Sequence, residues 1–174
     1  MKITEEHLFT ISLDKELKNG NEGRSKHWSS AHKEKKQWID ALQAADVETD
    51  SGMVIDTQTF LEEVLGDRSV QQKVGLTFTR VLGKGQRLID SDSILRGNAK
   101  ELLDSVVDFG ILEDDNNEYL SWSLGLQDYT TRSEESFVDI SFSVAESSVA
   151  KAAIVGIIML PTFPALLDGI VERC

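Results

Sequence analysis

Between Lys73 and Val144 the apolar residues change period, and that change limits the chain to a sheet backed by a helix. "KVGLTFTRVL" (Lys73–Leu82) alternates Val74, Leu76 and Phe78 against Thr77 and Thr79, with Arg80 next in the apolar series. Such alternation marks a half-buried strand. After the turn "GKGQR", a stretch from Ile94 or Asn98 to Phe109 has helical spacing, and Gly110 stops it. "YLSWSLGLQDY" and "SFVDISFSV" return to the strand pattern and suggest an antiparallel pair. Upstream, "HLFTISL" (His7–Leu13) reads as a first strand, and Asn19-Gly20 is a turn signal. A helix begins near Ser29 with Trp38, Ile39, Leu42 and Ala45 on one face. "ETDSG" breaks it, and "DTQTFLEEVLG" follows as a short helix with Asp56 or Thr57 as N-cap and Gly66 at its end. The order β-α-(α)-β-α-β-β predicts an α+β (mixed α/β) domain, a small mixed sheet with flanking helices.

The chain divides by composition. Residues 1–145 carry the strand and helix patterns, whereas 146–174 form an apolar extension. Ala152–Leu167 is uncharged and holds both prolines, Pro161 and Pro164. It falls short of the roughly 20 apolar residues of a membrane span, so packing on the domain or at a dimer interface is expected, and no membrane contact. The N-terminus lacks the basic start and long apolar centre of a secretion signal. Cys174 is the single cysteine, which excludes an internal disulfide. A cytoplasmic location is therefore expected.

Net charge is −12 with a pI near 4.6. This argues against a general nucleic-acid coat, which needs Lys and Arg to displace counterions. The charge is uneven, however. "GRSKHWSSAHKEKKQW" has Arg24, Lys26, Lys33, Lys35 and Lys36 against Glu34 alone, and Lys84 and Arg87 follow the Arg80 strand. His7, His27 and His32 lack metal-ligand spacing. Gly83-Lys84-Gly85 is a turn, since no GK[ST] follows on a helix.

Two acidic pairs flank the helix: Asp90 and Asp92 before it, Asp114 and Asp115 after it. Carboxylates are the preferred ligands of magnesium and manganese. In extended chain Asp90 and Asp92 face one side, so both can reach one ion. Asp115 joins them if the helix returns its end to its start, and a bound dication then offsets their mutual repulsion. Lys100 and Asp104 form an i, i+4 pair on the helix. Spacing alone leaves a surface ion pair and a catalytic lysine both open.

The stretch "TFTRVLGKGQRLIDSDSILRGNAKELLDSVVDFGILEDDNNEYL" resembles the RusA family of Holliday junction resolvases, common in phages and prophages. The joint order carries the resemblance: Thr79-Arg80, Gly83 and Gly85, Asp90-Ser91-Asp92, Lys100, Asp104, Gly110 and Asp114-Asp115. "NGNEGRSKHWSSAHKEKKQW" is also similar to the family's N-terminal segment, and the likeness spans roughly Leu8 to Phe142. It implies a homodimer that cuts branched DNA with magnesium, or manganese in its place. Carried over, the metal ligands are Asp90, Asp92 and Asp115, the catalytic lysine is Lys100, and Asp104 and Asp114 support them. Arg24, Lys26, Lys33, Lys36, Arg80 and Lys84 are the DNA-contact candidates. Ser93 replaces the family's usual Asn, and the gap from Asp92 to Lys100 is longer by about one helical turn. The rival expectations are a non-cutting relative that binds protein or DNA, and an acidic DNA mimic suggested by the net charge.

Overall fold

A computed structural model describes residues 6–18, 28–66 and 68–145, without the side chains of Trp28, Ser29, Ala31, Ser91 and Asp92. The extension 146–174 lies outside the described residues, as does the Asn19-Gly20 turn. The elements are β1 (His7–Leu13), α1 (Trp28–Gln43), β2 (Asp46–Thr49), β3 (Val54–Asp56), α2 (Thr57–Thr59), β4 (Val74–Gly83), α3 (Ser91–Arg96), α4 (Ala99–Asp108), β5 (Leu120–Ser133) and β6 (Phe137–Val144). A π-helical turn, Phe60–Val64, continues α2. The six strands form one mixed sheet in the order β3-β2-β1-β6-β4-β5, so the fold is α+β with flanking helices as expected. β4 and β5 run parallel, and the other neighbouring pairs run antiparallel.

One face of the sheet carries the core. Phe9, Ile11, Val138, Ile140, Phe142, Leu76 and Phe78 alternate inward and meet Trp38 and Leu42 of α1 and Leu102 and Val106 of α4. Phe9 stacks on Phe142 with ring centres 4.3 Å apart, and Phe60 tilts against it at 4.6 Å. All the described helices pack on this side. Ile94 of α3 fits over Gly125, where an added Cβ would lie 2.8 Å from the isoleucine side chain. Among the described residues no helix is long and apolar enough to cross a membrane.

Local signals set several boundaries. Asp56 caps α2, its carboxylate accepting from the Thr59 N–H at 2.9 Å, and Gly66 and Gly110 close helical segments at positive φ. The broken helix pattern after Ala45 is in fact a hairpin, β2–β3, paired Val47 to Ile55. Its strands are too short for alternation to stand out. Of the two starts expected for the helix that ends at Phe109, Asn98 is the observed one, as N-cap of α4. Ile94 belongs to the separate short helix α3, divided from α4 at Gly97, where an added Cβ would sit 1.9 Å from the Lys18 carbonyl oxygen.

The antiparallel pair expected of the last two strands does not form, because β4 lies between them. The Ser133–Phe137 connection instead crosses the end of β4. It passes so close to Gly83 that a Cβ there would lie 2.7 Å from the Ser136 nitrogen. Sequence neighbours usually pair, and nothing local in the two strand patterns overrides that default.

Opposite the helices, Trp122 lies flat over Gly75, with an added Cβ 2.0 Å from the indole. Gly75→Val therefore displaces the ring. It should lower unfolding free energy by about 1–3 kcal/mol, measured by urea denaturation. Adding Trp122→Ala should recover part of that loss through negative coupling. Equal midpoints for Gly75→Val and wild type would contradict this packing.

Candidate metal centre and nucleic-acid interface

The acidic window begins where β4 ends. The Gln127 amide on β5 clasps Ile89 through two bonds, donating to its carbonyl at 2.7 Å and accepting its N–H at 2.9 Å. This places Asp90 at the N-terminus of α3 with extended backbone, φ −60° and ψ 136°. Its carbonyl accepts the Ser93 N–H at 2.8 Å, while its carboxylate makes no capping bond and is exposed. Asp92 is the second residue of α3, and its side chain is outside the described set. Ser93, three residues after Asp90, is buried.

Lys100 opens α4, and its ammonium reaches Asp104 one turn later at 3.2 Å. The side chain is 71 % exposed. Its hydrogen bond to Asp104 and that residue's charge hold the ammonium above the ordinary lysine range, and the charges of Asp115 and Glu101 add less. Lys100 is therefore a fixed cation at neutral pH, paired with Asp104. Asp114 shapes the following loop. One carboxylate oxygen accepts the Asp115 N–H at 2.7 Å and the other accepts the Asn116 amide at 2.6 Å. Asp115 itself is exposed.

The parallel pairing sets the distance between the two acidic pairs. Asp90 follows Ile89, which is tied to Gln127 in the upper half of β5. Asp115 precedes Asn116, whose carbonyl accepts the N–H of Leu120 at the start of β5. Seven residues of strand separate those anchors, on the order of 20 Å. Among the described residues no group of three His, Cys, Asp or Glu side chains is close enough to hold a metal ion. A crossover between parallel strands has to travel from the end of one to the beginning of the next, and Asp90 and Asp115 are anchored at different levels of β5. Lys100 pairs with Asp104.

The basic candidates separate by environment. Lys33 and Lys36 are exposed on α1, and Lys84 is exposed at the β4 turn with Glu134 at 3.7 Å. Lys35 pairs with Asp108 at 2.6 Å and ties α1 to α4. Arg24 and Lys26 lie outside the described residues. Arg80 requires a correction, because it is 4 % exposed and its guanidinium is used internally. It donates to Glu16 at 2.9 Å, to Gln86 at 3.2 Å, to the Arg87 carbonyl at 3.2 Å and to Gln127 at 3.3 Å. Its place in the apolar alternation had already put it on the inner face. Burial there removes it from the DNA-contact set.

A polar knot beside the α3–α4 junction escaped the sequence reading. Asn98 is fully buried, accepts the Lys18 N–H at 2.9 Å and donates to Glu34 at 2.8 Å. Glu34, the lone acid of the basic stretch, is itself buried, with the Lys18 ammonium at 3.8 Å. Its isolation among lysines was the available signal. The knot pins Lys18, the last described residue before the segment carrying Arg24 and Lys26, against the junction that leads to Lys100.

No protein-family model matches the chain, and no curated protein or solved structure matches it.

A further carboxylate, Asp139 of β6, sits on the helix-free face and titrates abnormally. Burial lifts its pKa, the Ser12 hydroxyl at 2.7 Å partly offsets this, and the charges of Asp128 and Glu48 lift it further. A raised folded-state pKa means that stability is fullest below the unfolded value of 3.8 and falls as pH rises through the folded value. Asp139→Asn should therefore be more stable than wild type at pH 7, and the difference should vanish below pH 3.8, as thermal unfolding across pH would show. A constant difference at every pH would contradict the assignment.

Proposed function

We propose that this chain is a magnesium-dependent endodeoxyribonuclease of the RusA type, acting as a homodimer on Holliday junctions or other branched DNA. The observation that carries the reading is the ordered set Asp90, Asp92, Lys100, Asp104, Asp114 and Asp115 on one crossover, with the exposed Lys100 ammonium held by Asp104. Magnesium, or manganese in its place, would supply charge neutralisation at the cleaved phosphate. The exposed Lys100 ammonium offers the same kind of stabilisation from the protein, aimed at charge on a phosphate oxygen. Exposed Lys33, Lys36 and Lys84 suit backbone contacts, which position a duplex without reading its sequence. In this reading the cytoplasm is the place of action.

Two copies, each lending Asp115 to the other's Asp90 and Asp92, would bring the three carboxylates to one ion. A two-fold axis would then generate two equivalent sites, matching paired cuts across a symmetric junction. A non-cutting relative that binds DNA or protein through the same surface is the second reading. It is supported by the Lys100 ammonium being engaged by Asp104 at 3.2 Å.

Cleavage of a synthetic four-way junction separates the readings. With magnesium the wild type should nick symmetrically, and Asp90→Asn and Asp115→Asn should each lose at least about 100-fold in rate, equivalent to roughly 2.7 kcal/mol. Mixed and re-equilibrated, the two inactive variants should regain about a quarter of wild-type nicking. Half of the dimers are then mixed, and each mixed dimer keeps one intact shared site. No recovery would mean that the carboxylates act within one chain. Junction binding without cleavage in either metal would leave the non-cutting reading.

Lys100→Ala should slow cleavage at saturating junction with little change in binding. The expected signature is a fall in kcat rather than a rise in KM. A change in KM alone would make Lys100 a binding residue and not a catalytic one.

A further inference from the structure

The sheet face opposite the helices carries a column of apolar side chains on β5. Parallel registration places Trp122 beside Gly75, Leu124 beside Thr77 and Leu126 beside Thr79. Gly125, between the leucines, points to the helix side and meets Ile94, so the column faces away from the helices. Trp122, Leu124 and Leu126 are all half-buried. The neighbouring rows are Thr77 and Thr79 on β4, and Asp139, Ser141 and Ser143 on β6. An apolar column beside a polar one is a surface with a direction, and the apolar side lies along the β5 edge.

β6 ends level with the foot of this column. The Val144 N–H bonds the Glu6 carbonyl at 2.9 Å and the Ala145 N–H bonds the Lys73 carbonyl at 3.2 Å. Val74, the next residue, begins the strand whose Gly75 lies beneath Trp122. From β6 to β5 is two strand spacings, about 10 Å. Residues 146–151 connect Ala145 to Ala152 and reach at most about 25 Å, more than enough. Ala152–Leu160 is without charge and contains Ile154, Val155, Ile157, Ile158, Met159 and Leu160. Nine residues span about 14 Å as a helix, and the column from Trp122 to Leu126 is about 13 Å long.

We propose that the run Ala152–Leu160 of this same chain seats on the helix-free face of the sheet over Trp122, Leu124 and Leu126. The exit point, the reach of the linker, the matched lengths and the shared apolar chemistry favour this occupant. The pairing would bury the apolar run and give the sheet a second covered face over its β4–β5 side. It holds whether or not the chain cuts DNA.

Cysteine cross-linking in the full-length chain tests this. In a Cys174→Ser background, Leu124→Cys is combined in turn with Ile154→Cys, Ile157→Cys and Leu160→Cys, and oxidised under dilute conditions. Glu48→Cys, on the same face but far across the sheet on β2, replaces Leu124→Cys as the control. A disulfide within one chain from Leu124→Cys, at least tenfold faster than from Glu48→Cys, is expected. A disulfide mainly between chains would assign the face to a second copy, and equal rates would deny a seat there; either overturns the proposal. Fluorotryptophan labelling provides an independent readout through Trp28, Trp38 and Trp122. Ile157→Asp with Ile158→Asp should shift the Trp122 fluorine resonance while that of buried Trp38 stays in place. An unmoved Trp122 resonance would also overturn the proposal.

Discussion

Parallel strands cannot be closed by a tight turn, and the pairing of β4 with β5 places that demand on the centre of this chain. Everything between Lys84 and Tyr119 has to run back along the sheet before β5 can begin. The return path carries both acidic pairs, the Lys100–Asp104 pair and the packed helix α4. The same crossover that builds the core therefore carries Asp90, Lys100 and Asp115 at its surface.

Polar groups inside the fold serve that path. Arg80 uses its inward position to hold Glu16, Gln86, Gln127 and the Arg87 carbonyl together. Gln127 in turn clasps Ile89, the residue before Asp90. Asn98 and Glu34 hold Lys18 at the α3–α4 junction. Leaving any of these groups buried without its partner costs roughly 1–3 kcal/mol, so the network specifies one path for the crossover. It fixes the backbone on both sides of α3 while the candidate groups Asp90, Lys100 and Asp115 stay at the surface.

What could be read in advance was local. β1, α1, β4 and α4 each carry enough residues for their period to be recognised, and Gly110 and Asp56 act through their own backbone and side chain. β2 and β3 were missed because four and three residues do not display a period. The role of Arg80 was half legible. Its alternation pointed inward, yet the resemblance put it among the DNA-contact candidates, and burial decided for the interior. Asn98 and Glu34 gain meaning only from residues 64 positions apart.

By itself the sequence determined the class of fold, the segment that bears the acidic residues, and the one-turn spacing that pairs Lys100 with Asp104. These depend on neighbours along the chain, where helix and strand geometry dictate what meets. Tertiary structure alone decided that β4 separates β5 from β6 and that Arg80 is internal. Those outcomes depend on which strands share hydrogen bonds and in which direction. Strand pairing is a long-range choice among sequences whose local patterns look alike.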